Sequence, residues 1–126
     1  MTSITVRDLP DVFDVLAPDG SEVRILATSE RGSMAHFKLH PGQVSIAIAH
    51  RTVEEIWYVV AGQGEMWCGY DQVEELTPLR PGVSIAIAVG VKFQFRSLGE
   101  TALEAVGVTM PPWPGVDEAV FVIGKW

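Results

Sequence analysis

A single cysteine, Cys68, stands in the 126 residues. No intramolecular disulfide can form, which excludes a disulfide scaffold and fits a reducing compartment. Basic side chains are also scarce: nine Lys and Arg against sixteen Asp and Glu leave a net charge of -7. A surface for nucleic acid or an anionic membrane needs clustered cations, and this balance does not supply them. No apolar run approaches the roughly 18 residues that a membrane helix needs, and the opening MTSITVRDLP is too short and mixed for a secretory h-region. The expected protein is soluble and cytoplasmic, with neither nucleic acid nor membrane as a partner. A helical period of ten or more residues is missing, as are a Gly-rich phosphate loop, a Cys-x-x-Cys pair and a Ser-His-Asp order.

What is present is apolar and punctuated by turns. Hydrophobic residues make up 48% of the chain, and a chain of this length buries roughly two-thirds of its unfolded surface as one domain, here residues 1–126. Short alternating stretches are separated by turn chemistry such as Ala17-Pro18-Asp19-Gly20-Ser21, His40-Pro41-Gly42 and Pro81-Gly82. Strands are expected near residues 4–8, 22–27, 33–39, 44–50, 56–60, 63–69, 73–77, 83–89, 91–97 and 102–110. A proline-rich tail follows, ending in an apolar stretch, 119–123, and the region of Trp113 reads as a packing strap. About ten short strands predict an all-β sandwich or barrel. The stretches PGQVSIAIA at Pro41 and PGVSIAIAV at Pro81 echo each other, as two related halves of a jelly roll would.

The segment Gly42–Gly64 carries the most specific pattern. Gly42, His50, Glu55 and Gly62 fall in register with the first signature of the cupin family, which runs G, five residues, H, one residue, H, three or four residues, E, six residues, G. The first histidine of that pattern falls on Ile48. The second signature runs G, five residues, P, one residue, G, two residues, H, three residues, N. Gly82 and Gly90 match it, whereas Ala88, Phe93 and Ser97 replace its proline, histidine and asparagine. The chain therefore resembles a small single-domain cupin with a degraded metal motif. The resemblance implies a double-stranded β-helix, or jelly-roll barrel.

Cupins hold a divalent metal with three histidines and a glutamate. Carried over, only His50 and Glu55 keep a donor, since Ile48 and Phe93 have none. The expectation is no cofactor; a divalent metal, if bound, would use His50 and Glu55, and His36 or His40 could be recruited as extra ligands. Strand parity predicts an inward apolar set of Ile46, Ile48, Trp57, Val59, Met66, Ile85, Ile87, Phe93 and Phe95. An oily pocket with His50 and Glu55 as its polar spot suits a small organic ligand. Burial would raise the Glu55 pKa, making the pair candidates for general acid and base. Three functions follow. One is a metal-independent binder of a small molecule. The second is an enzyme, either a metal-free isomerase, lyase or cyclase or a residual metal-dependent oxygenase or isomerase. The third is a dimeric scaffold that binds nothing. Glu54 should face solvent, and Cys68 should be a buried small hydrophobe. The outward apolar positions Ile56, Tyr58, Val60 and Trp67 predict a homodimer.

Overall fold

A computed structural model describes residues 4–126. Its strands, in chain order, are β1 (Val15–Leu16), β2 (Glu22–Thr28), β3 (Ser33–Leu39), β4 (Ile48–His50), β5 (Glu54–Ala61), β6 (Gly64–Tyr70), β7 (Val73–Leu79), β8 (Ser84–Ile87), β9 (Lys92–Ser97), β10 (Leu103–Met110) and β11 (Ala119–Phe121), with a single 3-10 turn at Val116–Glu118. They form two antiparallel sheets, ordered β1-β2-β3-β10-β5-β8 and β11-β4-β9-β6-β7. This is the expected all-β jelly-roll barrel.

Period-two patterning sets the faces. On β5, Glu55, Trp57 and Val59 are buried while Glu54, Ile56, Tyr58 and Val60 are exposed. On β10, Leu103, Ala105, Gly107 and Thr109 turn inward. A slip of one residue would exchange these faces, so burial fixes the register. The two inner faces meet in a core that includes Leu39, Trp57, Val59, Met66, Ile87, Phe93 and Phe95. Trp57 of the first sheet meets Phe95 of the second edge-on, with ring centroids 5.0 Å apart and planes at 80°, a favoured aromatic geometry.

The two Pro-Gly turns play equivalent parts. Gly42 and Gly82 both have positive φ (80° and 97°). The Gly42 amide donates to the Ser97 carbonyl, and the Gly82 amide to that of Val59. One turn leads to β4 in the second sheet and the other to β8 in the first. The sequence echo is thus an echo of position in the barrel.

Several expectations need correction. Residues 4–8 form no strand; they are exposed, and Arg7 reaches Asp14 at 3.0 Å. The pair β1 is too short to show a period. The strand expected over 44–50 is regular only from Ile48. Before it, Ser45 donates its amide to the Phe95 carbonyl and Ile46 donates to the carbonyl of Asp19 in a distant turn. This detour breaks the alternation: Ser45 and Ala47 are buried, and Ile46 is 50% exposed. Ile46 therefore does not belong to the inward set.

Trp67 also departs from expectation. It is buried, and its indole N–H donates to Glu74 Oε1 at 2.7 Å. Ile56, Tyr58 and Val60 do lie exposed on the outer face of the first sheet. Elsewhere the outer faces are strapped by the chain's own ends. Arg24 donates to the carbonyls of Pro10 and Asp11, and Gln94 Oε1 accepts from the amides of Lys125 and Trp126.

Candidate functional site

A cavity of about 280 Å³ opens at one end of the barrel. Strands β1, β2, β3, β4, β5, β9 and β10 contribute to its wall, and the turn after β1 and the Pro112-Trp113 segment close over it. Its lining is chiefly apolar and aromatic, with Asp19, His50 and Glu55 as its titratable members.

Glu55 is positioned by β5, where it faces Thr109 of β10 and Ile87 of β8 across the ladder. Space for its carboxyl depends on Gly107. A Cβ there would lie 2.7 Å from the Phe37 ring, 3.0 Å from Glu55 Oε2 and 3.1 Å from Trp57 Cδ1. Burial pushes the Glu55 carboxyl up to about 8, because the apolar surroundings penalise its charged form. The nearby Trp57 indole opposes that shift without an N–H bond of ordinary geometry, and the Asp19 carboxylate adds to it. At neutral pH Glu55 is a protonated acid.

His50 ends β4 and is only 4% exposed. Its ring stands edge-on to Phe93 and to Trp113, each at 5.3 Å between centroids. Nε2 lies 3.8 Å from Glu55 Oε1, beyond hydrogen-bond reach, and Nδ1 is buried without a partner. Burial lowers the imidazole pKa, and the negative charge of Glu118 opposes this only in part. The neutral ring and the protonated acid make the pair uncharged.

The bend between these two residues is held from the tail. The Glu118 carboxylate accepts the Thr52 amide at 2.7 Å, the Val53 amide at 3.2 Å and the Thr52 hydroxyl. The Glu118 carbonyl accepts the Arg51 amide. Burial alone would raise the Glu118 pKa, but these bonds outweigh it and the net direction is down. The stability it contributes is therefore present above about 4.5, the ordinary glutamate value, and is lost as pH falls through the lower folded value. Glu118→Gln turns an NH₂ group toward donors and is expected to cost ~1–3 kcal/mol. The check is the urea midpoint at neutral pH; an unchanged midpoint would show that Glu118 does not hold the bend.

Of the residues anticipated from strand parity, Ile48, Trp57 and Phe93 line the cavity together with His50 and Glu55. Val59, Met66, Ile87 and Phe95 are buried beneath it in the core, with Ile85 packed against them. The barrel is thus filled below and open at the mouth. His36 lies on the outer face of β3 with Nε2 2.9 Å from Glu104 Oε1, and His40 is exposed with Nε2 2.7 Å from Glu22 Oε2. Neither histidine lines the cavity. Cys68 is partly buried against the core, and burial raises its thiol pKa.

Sequence reasoning missed Asp19, Phe37, Gly107, Thr109 and Trp113. Asp19 belongs to a turn motif that ordinarily points to solvent, yet it is buried and bonded by the Ser21 amide and hydroxyl. Phe37 shares the inward parity of β3 and could have been found from it. Trp113 does act as a strap, its amide donating to Ser33 Oγ, but its side chain also lines the cavity.

Known proteins agree with this architecture. A family model described as a cupin domain matches residues 35–109. The chain belongs to the cupin family. Among solved structures, it is similar to BH2720 from Bacillus halodurans, with TM-score 0.69 and 19% identity over 74% of this chain and 72% of that one. An uncharacterized conserved protein with a double-stranded β-helix domain from Klebsiella pneumoniae subsp. pneumoniae has TM-score 0.69 and 18% identity, over 94% and 91% of the two chains. The capsular polysaccharide assembling protein CapF of Staphylococcus aureus has TM-score 0.71 and 18% identity over 81% of this chain, which spans 32% of CapF. These likenesses establish the fold. No curated protein matches the cupin in sequence.

Proposed function

We propose that this cupin binds a small organic molecule at its barrel mouth, with Glu55 and His50 as polar contacts and no resident metal. The observation that carries the reading is the cavity of about 280 Å³, walled by aromatic and aliphatic side chains around a few ionisable groups. That is near the lower limit, roughly 300 Å³, of small-molecule sites and has their usual lining. A barrel serving only as a scaffold would fill this space with its own side chains.

The donor set does not fit a divalent metal. A catalytic metal ordinarily takes about three protein ligands. Here Ile48 and Phe93, paired across β4 and β9, occupy the positions of two family histidines. His36 and His40 are held elsewhere by Glu104 and Glu22. His50 and Glu55 remain at family ligand positions, while the third titratable group of the cavity, Asp19, stands on a separate turn with its Oδ1 taken by Ser21.

The test uses Trp57 and Trp113, both in the lining, as fluorescence reporters. Benzyl alcohol is expected to change their emission saturably. Gly107→Val and Ala35→Leu, which add bulk at the wall, should weaken that response at least ~10-fold, with urea midpoints confirming that each variant is folded. A linear response in the parent, or an unaltered one in folded variants, would defeat the reading.

The uncharged Glu55–His50 pair favours a second reading, proton transfer to a bound molecule in an isomerase, lyase or cyclase step. On a substrate the cavity turns over, His50→Ala and Glu55→Gln are each expected to lower kcat by ~100-fold or more. Full turnover by both would remove the catalytic version and leave the binding one.

A further inference from the structure

The cavity is one-sided in its ionisable side chains. Asp19 and Glu55 line it, and no lysine or arginine does. The two acids come from different elements, Glu55 from β5 and Asp19 from the turn after β1, and the charge of Asp19 disfavours ionisation of Glu55. Neither acid has a lysine or arginine partner in the cavity. Both bonds from Ser21 fall on Asp19 Oδ1, at 2.9 and 2.7 Å. Glu55, 4% exposed, makes no side-chain hydrogen bond of ordinary geometry to any described residue, and His50 Nε2 stays 3.8 Å away.

The walls point the same way. Phe37, Trp57, Phe93 and Trp113 all line the cavity, and Phe37 and Trp57 stack with centroids 5.3 Å apart. Aromatic rings carry negative faces and attract cations, most strongly where water is excluded. An anion in this chamber would meet two acids and a neutral imidazole, with no cation to pair with. A neutral molecule would leave both acids without a counter-charge, in surroundings that disfavour their ionised forms. A cation would supply the counter-charge that favours the ionised form of each acid, and it would be attracted by the rings.

We infer that the ligand is a small organic cation, an ammonium group on an apolar or aromatic body, its charge facing Asp19 and Glu55 and its body among the four rings. This rests on the reading of the cavity as a small-molecule site and adds the charge of the molecule it selects.

The experiment compares three probes of similar shape: benzylammonium, benzyl alcohol and benzoate, titrated calorimetrically into the full chain near neutral pH at fixed ionic strength. Benzylammonium is expected to bind at least ~10-fold more tightly than benzyl alcohol, and benzoate most weakly. Glu55→Gln and Asp19→Asn should each reduce the ratio of benzylammonium to benzyl alcohol affinity at least ~5-fold, with urea midpoints confirming folding. Benzyl alcohol or benzoate binding as tightly as benzylammonium overturns the inference and leaves the cavity reading standing. So does a preference untouched in both folded variants. Binding of none of the three overturns both.

Discussion

Glu55→Gln is expected to stabilise the protein in alkali and to leave it nearly unchanged in acid. The unfolded chain releases the Glu55 proton near 4.5, whereas the folded protein keeps it up to about 8. Between those values the native state binds more protons than the unfolded state, so wild-type stability falls as pH rises through this window. Above the folded value the full penalty of a buried carboxylate is present, about 5 kcal/mol. Glutamine is neutral throughout and carries no such penalty. Urea unfolding of both proteins across the window should show a gap that opens with pH and then levels off. A gap independent of pH would mean that the carboxyl is not held in an apolar environment.

Gly62→Ala has the second large effect. Gly62 joins β5 to β6 at φ 79°, and a Cβ there would overlap the Ala102 carbonyl and lie 2.7 Å from Leu103 Cα. Backbone on that side cannot yield without moving the start of β10, so the left-handed conformation and the collision add. The expected cost is about 4 kcal/mol. Gly82 is the control, since its φ is 97° but nothing lies within 4 Å of its Cβ position. Gly82→Ala should therefore cost only about 1 kcal/mol. Equal shifts in the two urea midpoints would show that φ alone, and not the close approach to β10, governs Gly62.

The contrast between these glycines also shows what a sequence carries. Both occupy signature positions, and the Pro81-Gly82 turn was legible, because Gly and Pro state their backbone preferences locally. The faces of β9 were equally legible, since Phe93 and Phe95 alternate with Lys92, Gln94 and Arg96 within the strand. Ile46 was not. Its alternation with Ile48 is perfect as text, but the chain there bonds to Asp19 and Phe95, partners set by the closed barrel. Asp19 was hidden for a related reason: an Asp-Gly-Ser turn reads the same whether its carboxyl meets water or a cavity. Trp113 reaches the mouth only because the chain leaves β10 and crosses to Ser33, a placement no local period encodes. The polar corner was foreseen and the floor of the pocket was not. Val59, Met66, Ile87 and Phe95 point inward as parity requires, but the barrel packs them against one another.

The role of Glu118 follows the same logic. It lies 63 residues beyond Glu55 in the chain, yet it fixes the bend from which Glu55 and His50 diverge. Its bonds to Thr52 and Val53 tie the tail to the mouth. Disturbing Glu118 is thus a way to disturb the site without touching its lining.

Carbon-detected NMR of the Glu55 side-chain carboxyl, followed across a pH titration of the unliganded protein, tests the dry, uncharged corner most directly. A midpoint near 8 is the predicted result. A midpoint near 4.5, the value of a solvated glutamate, would contradict it and remove the physical basis for an oily cavity closed around a neutral acid.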